Sequence, residues 1–329
     1  MREKVLITGA SGFVGFHLVD AALAAGMEVH AAVRKSSSIE HMSVFNVKYV
    51  YPDYNDQEGL RRELERQQYD YIIHAAGITR ARNRAAYDAV NADYTKQLAQ
   101  AAQAAGMLKK FIHISSLAAV GPVNYTALEP ITEDNHPQPV TSYGQSKLLA
   151  EQYLMSTTGL PYIILRPTAV YGPRERDILI MFKTIGKGWE PYIGRAPQWL
   201  SFIYVKDLAQ AVIKAMRAPV ANSIYHISDG YAYDRYALAQ ITKALLHKKT
   251  MKLHIPHGVI KLLAGMMETA TRWSEKSPVL SREKLQELTA ANWHCSIEKI
   301  GRELSFVPQY NLETGLSQTL QWYKSNNWL

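Results

Sequence analysis

The chain has 329 residues, with 37 Lys and Arg against 29 Asp and Glu and a formal net charge of +8. Hydrophobic residues make up 47% and charged residues 20%, which excludes a disordered, collagen-like or acidic-tail protein. The length lies where one core begins to divide, so one large domain with a smaller second lobe is expected.

Up to about residue 170, short apolar runs alternate with helical stretches. Strands are predicted at Lys4–Thr8, Glu28–Val33, Val47–Tyr51, Tyr71–His74, Lys110–Ser115 and Tyr162–Arg166. Helices are predicted at Phe13–Ala25, Gln57–Gln67, Ala85–Ala105 and Tyr143–Thr157, with Gly26 and Gly106 as stops. The strand–helix–strand rhythm implies right-handed crossovers and a parallel sheet. Beyond Pro167 the rhythm breaks at Gly172-Pro173, Gly186-Lys187-Gly188 and Gly194. It resumes with a strand at Ser201–Val205, a helix at Asp207–Arg217 and a strand at Ser223–Ile227. From Asp234 the chain reads as mostly helical, with turns at Pro256 and Pro278. The pattern divides into an alternating α/β domain, residues 1–170 plus 200–230, and a second lobe, residues 171–199 plus 231–329.

The first strand runs into Thr8-Gly9-Ala10-Ser11-Gly12-Phe13-Val14-Gly15, which opens the first helix. Glycines at this spacing permit a tight turn, close backbone approach to a pyrophosphate and close packing of helix on strand. The helix N-terminus offers free N–H groups to phosphate. The fold class predicted is therefore α/β, a Rossmann-type doubly wound parallel sheet with a smaller, mostly helical C-terminal lobe. An NAD site usually places a carboxylate about 20 residues on, at the end of the second strand. Here Val29 through Ile39 contain none, and Arg34-Lys35-Ser36 follow that strand. Two cations and a hydroxyl run suit a 2′-phosphate, so NADP is expected, with NAD as the alternative.

Ser142-Tyr143-Gly144-Gln145-Ser146-Lys147 places Tyr and Lys on one helix face. A Tyr acting as acid or base near neutrality needs its pKa lowered by about 3 units, or about 4 kcal/mol. A cation about 4 Å away supplies about that much. With this pair the whole chain resembles the extended short-chain dehydrogenase/reductase family, which includes epimerases and dehydratases of nucleotide sugars. Dihydroflavonol-type reductases and 3β-hydroxysteroid-type dehydrogenases form its nearest branch. The motifs stand in family order: TGASGFVG at 8–15, HAAG at 74–77, Val90-Asn91, ISS at 114–116, YGQSK at 143–147 and RPTAVYGP at 166–173. FIYVKDLAQA at 202–211 and ELSFVP at 303–308 follow.

The resemblance implies roles for matching positions. Tyr143 would pass the proton to or from the substrate oxygen, Lys147 would lower its pKa and hold the nicotinamide ribose, and Ser116 would hydrogen-bond the reacting oxygen. Ser115 and Thr79 would line the substrate pocket. Gly9, Ser11, Gly12, Phe13, Val14 and Gly15 would form the pyrophosphate turn. Asp53 would meet the adenine, Ala75, Ala76 and Gly77 the adenine ribose, and Pro167 and Val170 the nicotinamide. A homodimer through the helices at 85–105 and 143–157 is also implied.

Family epimerases commonly carry an Arg that grips the substrate pyrophosphate just before the strand matching Phe202–Val205; here Leu200 stands there. Five cations of the second lobe, Arg174, Arg176, Arg195, Arg235 and Arg272, remain available for phosphate. Trp189, Tyr192 and Trp199 suggest a more apolar pocket. The expected activity is hydride transfer between a nicotinamide and a secondary alcohol or ketone. Epimerase or dehydratase chemistry on a nucleotide sugar is the alternative. A non-catalytic NADP-binding sensor is the alternative of another class, and the complete Ser116, Tyr143 and Lys147 set argues against it.

Cys295 is the sole cysteine, so no internal disulfide forms, and no Cys/His cluster has zinc spacing. No metal is expected. Met1-Arg2-Glu3-Lys4 leads straight into Val5-Leu6-Ile7, too short for a signal peptide, and Val259–Met267, the most apolar stretch, is interrupted by Lys261. A cytoplasmic protein without a membrane span is expected. Its basic residues are scattered and no nucleic-acid motif accompanies them, so they suit an anionic cofactor and a small-molecule substrate.

Overall fold

The apolar runs become strands because their side chains are buried on both faces. The computed structural model describes residues 2–127, 129–271 and 282–329. In chain order it contains β1 (Lys4–Thr8), α1 (Phe13–Ala24), β2 (Glu28–Ala32), β3 (Lys48–Val50), α2 (Gln57–Gln67) and β4 (Tyr71–His74). There follow α3 (Arg84–Tyr87), a π-helical segment (Asp88–Asp93), α4 (Tyr94–Ala105), β5 (Lys110–Ile114), α5 (Ser142–Met155), β6 (Tyr162–Pro167) and β7 (Ala169–Tyr171). Next come α6 (Asp177–Gly186), β8 (Trp189–Ile193), β9 (Trp199–Leu200), β10 (Phe202–Tyr204), α7 (Val205–Arg217), β11 (Ser223–Ile227) and β12 (Tyr233–Asp234). The chain closes with α8 (Ala237–Leu245), β13 (Met251–Ile255), α9 (His257–Thr271), α10 (Arg282–Thr289), α11 (Glu298–Leu304) and α12 (Leu312–Ser325).

Seven strands form one sheet in the order β11-β6-β5-β4-β1-β2-β3, every pair parallel. The chain works outward from β1 to β3 and then returns to place β4 on the other side of β1. Ligands of such sheets bind outside the carboxyl ends of the two strands at the reversal. Alternate side chains feed opposite layers. Val5, Ile7, Ile73, Ile112 and Leu165 pack with α1 and α7, whereas Leu6, Ile72, Phe111 and Ile164 pack with α2, α4 and α5. A separate core joins Tyr171, Phe182, Phe202 and Tyr204 to Leu312, Leu316 and Tyr323 of the last helix.

Several expectations need correction. The helix predicted over 85–105 is broken by the π segment, which brings the buried Asn91 side chain against Ile78 and Ser146. The strand predicted at 201–205 forms as β10, which pairs with β7, and a further short strand not predicted, β9, precedes it and pairs antiparallel with β12. The Ser201 hydroxyl between β9 and β10 donates to the Tyr231 carbonyl at 3.2 Å. The C-terminal stretch is mostly helical as predicted, with one strand not foreseen, β13, which pairs in parallel with β8. The turn at Pro278 lies outside the described residues.

Four sheet histidines are buried: His30 on β2, His74 on β4, His113 on β5 and His226 on β11, and burial lowers His30 as well. Burial pushes His74 and His226 down to about 3, and His113 well below its ordinary value. Unfolded rings bind protons from about pH 6.5 downward. The unfolded chain thus holds more protons than the folded one between about pH 6.5 and 3, and stability falls as pH drops through that window. The urea midpoint should therefore decline steadily from pH 7 to pH 5. Neither ring nitrogen of His113 has a hydrogen-bond partner, so His113→Leu should flatten the decline. An unchanged slope in that variant would contradict the assignment.

Candidate active site

The ends of β1 and β4 meet at a turn that only glycine permits. Gly9 has φ +66°, and a Cβ there would lie 2.7 Å from the Ala75 carbonyl oxygen. A Cβ on Gly15 would lie 2.0 Å from the Gly9 oxygen. Thr8 fastens the two strand ends: its hydroxyl accepts the Ala76 N–H at 3.1 Å and bonds His74 Nδ1 at 2.8 Å. Helix α1 then begins at Phe13 behind Gly12, with no side-chain cap and no acidic residue in its first turn. The N–H groups of Phe13, Val14 and Gly15 are thereby left for an anion. The Ser11 carbonyl receives His41 Nε2 at 3.1 Å.

Arg34 and Lys35 are exposed just beyond β2. Among the described residues, neither is recorded in an ion pair. Asp53 is also exposed, and its carboxylate accepts the Asn55 N–H at 2.9 Å, closing a turn before α2. These residues fit a dinucleotide: an uncapped helix terminus at the strand reversal, close backbone approach, and unpaired cations beside the second strand.

Helix α5 starts at a Thr141 cap, whose hydroxyl accepts the Gly144 N–H at 3.1 Å. Its first two turns carry Tyr143 and Lys147. Lys147 Nζ donates to the Ile114 carbonyl at 2.6 Å and lies 4.0 Å from where a Cβ on Gly77 would sit. Ser116, just past β5, accepts the Ala118 N–H at 3.1 Å. Burial pushes the Tyr143 phenol up to about 12, and a hydrogen bond with Ser116 opposes that rise. Burial likewise brings Lys147 down to about 8, with Glu151 opposing. The expected lowering of the phenol by Lys147 is therefore not what the geometry shows. The ammonium is committed to a backbone carbonyl, and desolvation dominates the phenol.

Ser115 also departs from expectation. Its hydroxyl bonds the Glu151 carboxylate, and both residues are buried. Arg166 completes the cluster, with Nε at 3.0 Å and Nη2 at 2.6 Å from Glu151. Neither Glu151 nor Asn91 was assigned a role from sequence, although Glu151 stands one turn beyond Lys147 and Asn91 lies in a family motif. The Asn91 carboxamide accepts the Ile78 N–H at 2.8 Å and donates to the Ile78 carbonyl at 3.0 Å and to Ser146 Oγ at 2.9 Å. Thr79 is exposed, and its carbonyl accepts the Tyr87 hydroxyl at 3.2 Å. Pro167 is buried at the end of β6 and Val170 half-buried on β7.

Leu200 packs into the cluster of Tyr171, Phe202 and Tyr204. Arg235 donates to the carbonyls of Ile193, at 2.8 Å, and Ala196. The Arg174 guanidinium lies 4.2 Å over the Phe16 ring. Arg272 falls outside the described residues. Of the aromatics expected around the pocket, Trp189 is exposed, Tyr192 bonds Glu190, and Trp199 stacks on Tyr125 at 6.0 Å.

Residues 5–228 match the NAD dependent epimerase/dehydratase family, and the chain belongs to it. It is an enzyme of the extended short-chain dehydrogenase/reductase type. A ceramide reductase of Caulobacter vibrioides is 26% identical over 100% of this chain and 96% of its own. A UDP-glucose 4-epimerase of Vibrio cholerae is 27% identical over 99% of this chain and 97% of its own. The crystal structure of a UDP-glucuronic acid 4-epimerase from Bacillus cereus in complex with NAD superposes with a TM-score of 0.78. That match covers 98% of this chain and 99% of the other at 22% identity, and shows the likeness of fold.

Two variants test the framework. Gly15→Ala sets a methyl against the Gly9 carbonyl, so dinucleotide should no longer raise the melting temperature; undiminished stabilisation would disprove the tight-turn account. Glu151→Gln leaves the Arg166 charge buried without its partner and should cost about 3–5 kcal/mol in urea unfolding. The double variant Glu151→Gln/Arg166→Met should recover most of that loss.

Proposed function

We propose that the protein is an NADP-preferring oxidoreductase that reduces a ketone to a secondary alcohol, with Tyr143 as proton donor. The observation that carries this reading is the convergence of Tyr143, Lys147 and Ser116 beside the glycine turn. When bound, the nicotinamide supplies the hydride. The protein manages the proton. The Tyr143 phenol is protonated at neutral pH and supplies its proton to the oxygen of a reacting ketone, against the resistance that burial adds. The Ser116 hydroxyl is placed to hydrogen-bond that same oxygen, and the Lys147 ammonium to hold the ribose beside Gly77. In this reading residues 1–170 and 200–230 hold the dinucleotide, and residues 171–199 and 231–329 the substrate.

Exposed Arg34 and Lys35, with no carboxylate from Val29 to Ile39, support NADP over NAD. Leu200 packed in an aromatic cluster supports a substrate without a nucleotide diphosphate. The Caulobacter relative's name, ceramide reductase, agrees with reduction and with an apolar substrate. Epimerisation of a nucleotide sugar is the second reading, and the Vibrio UDP-glucose 4-epimerase supports it.

Calorimetry should give tighter binding for NADPH than for NADH, and Arg34→Ala should weaken NADPH while leaving NADH nearly unchanged. Tighter NADH binding by the native protein would reverse the cofactor assignment. With a ketone found by screening, Tyr143→Phe should lose roughly 10²–10⁴ in rate while retaining cofactor affinity. The native rate of reduction should fall as pH rises through about 8, where Lys147 loses its proton. A native rate in the Phe variant would make Tyr143 a packing residue. Thermal shift with UDP-, GDP- and dTDP-sugars tests the second reading, which a clear stabilisation would promote.

A further inference from the structure

Helix α9 presents an apolar face that no other described residue covers. Ile260 and Ala264 are buried against the lobe. Val259, Leu262, Leu263 and Met266, at positions i, i+3, i+4 and i+7, share another face, and Leu262 and Met266 are 66% and 59% exposed. The β8–β13 ribbon adjoins the start of this helix, where a Cβ on Gly194 would lie 2.4 Å from His257 Nε2. Trp189 and Met251, paired across the ribbon, are exposed together with Leu253. Exposed apolar surface clustered on one helix and the ribbon that leads into it marks an interaction site.

The charge leading into and along the first ten residues of the helix is basic, with Glu268 following near the helix end. Residues 247–267 contain Lys248, Lys249, Lys252 and Lys261 and no Asp or Glu. The Lys252 ammonium lies 4.4 Å over the Tyr236 ring, within the lobe. Lys248, Lys249 and Lys261 are exposed. An apolar helix face carrying an exposed lysine, preceded by a ribbon that exposes a tryptophan and follows two further exposed lysines, suits the boundary between anionic headgroups and acyl chains. No helix among the described residues is long and apolar enough to cross a membrane, so contact of this kind lies on the surface.

We propose that α9 and the β8–β13 ribbon form a docking face for an anionic lipid bilayer, and that the substrate is a membrane-resident lipid ketone entering beside α10. The substrate half rests on the oxidoreductase reading above; the docking half does not. Helix α9 packs on α10. The Glu283 carboxylate of α10 accepts the Ser142 N–H at 3.0 Å and the Ser142 hydroxyl at 2.7 Å, one residue before Tyr143. The apolar face is thus separated from the reacting phenol by a single helix.

Flotation of the full-length protein tests docking. The vesicles are phosphatidylcholine alone, or phosphatidylcholine with about a third phosphatidylglycerol. The protein should float with the anionic vesicles, float several-fold less with neutral ones, and be released by high salt. Leu262→Asp/Met266→Asp, at exposed positions, should lower anionic-vesicle binding at least tenfold while melting temperature and NADPH affinity stay native. Lys248→Gln/Lys249→Gln/Lys261→Gln should lower it several-fold and remove most of the salt dependence. Protein that stays in solution with both vesicle types overturns the docking face. So does sedimentation showing a native dimer that the Asp variant disperses, because the face then belongs to a second copy. Floating protein that reduces soluble ketones but no ketone embedded in the vesicles overturns the substrate half alone. Floating protein that reduces neither overturns the oxidoreductase reading and leaves docking standing.

Discussion

Everything at this site depends on how closely the ends of β1 and β4 approach one another. No side chain fits between Gly9 and Ala75, and none fits between Gly15 and the Gly9 carbonyl. That closeness lets α1 begin directly over the strand reversal with its N–H groups uncapped. It also carries the chain from His74 to Gly77 past the Lys147 ammonium. A methyl group at Gly15 changes no charge and no catalytic side chain, yet it would separate the phosphate-binding terminus from the strand ends that position it.

Desolvation is the second constraint, and it acts on the chemistry. Tyr143 and Lys147 are both deprived of water, which makes the phenol a weaker acid and the ammonium a stronger one. Ser116 and Glu151 work against these shifts. Glu151 is itself held by Arg166 and Ser115. A buried ion pair of this sort is a poor source of stability but a firm anchor once formed. It ties β5, α5 and β6 together directly beneath Ser116, Lys147 and Pro167. The phenol therefore keeps its proton at neutral pH, as the proposed role of proton donor requires.

Much of this was legible in the residues. The bounds of β1, β4 and β11 follow from apolar runs buried on both faces, and the phosphate turn from glycines placed between a strand and a helix. What stayed hidden depends on distant partners. Nothing near Met251–Ile255 announces a strand, because its register comes from Trp189–Ile193, some sixty residues earlier. Adjacent Ser115 and Ser116 look interchangeable in sequence. At the end of β5 they take different partners, so one anchors Glu151 while the other reaches Tyr143. The Tyr-x-x-x-Lys spacing promised a phenol acidified by its lysine, but spacing carries no information on burial or on the carbonyl that engages Lys147.

The central claim is net reduction of a carbonyl, with hydride leaving the cofactor for good. Following NADPH and alcohol together in one reaction tests it most directly. Incubated with a ketone substrate and NADPH deuterated at the transferring position, the protein should consume one NADPH for each alcohol formed, and the alcohol should carry the label. Turnover of a substrate to its stereoisomer with no net loss of NADPH, and with no label in the product, would contradict the account and identify the protein as an epimerase.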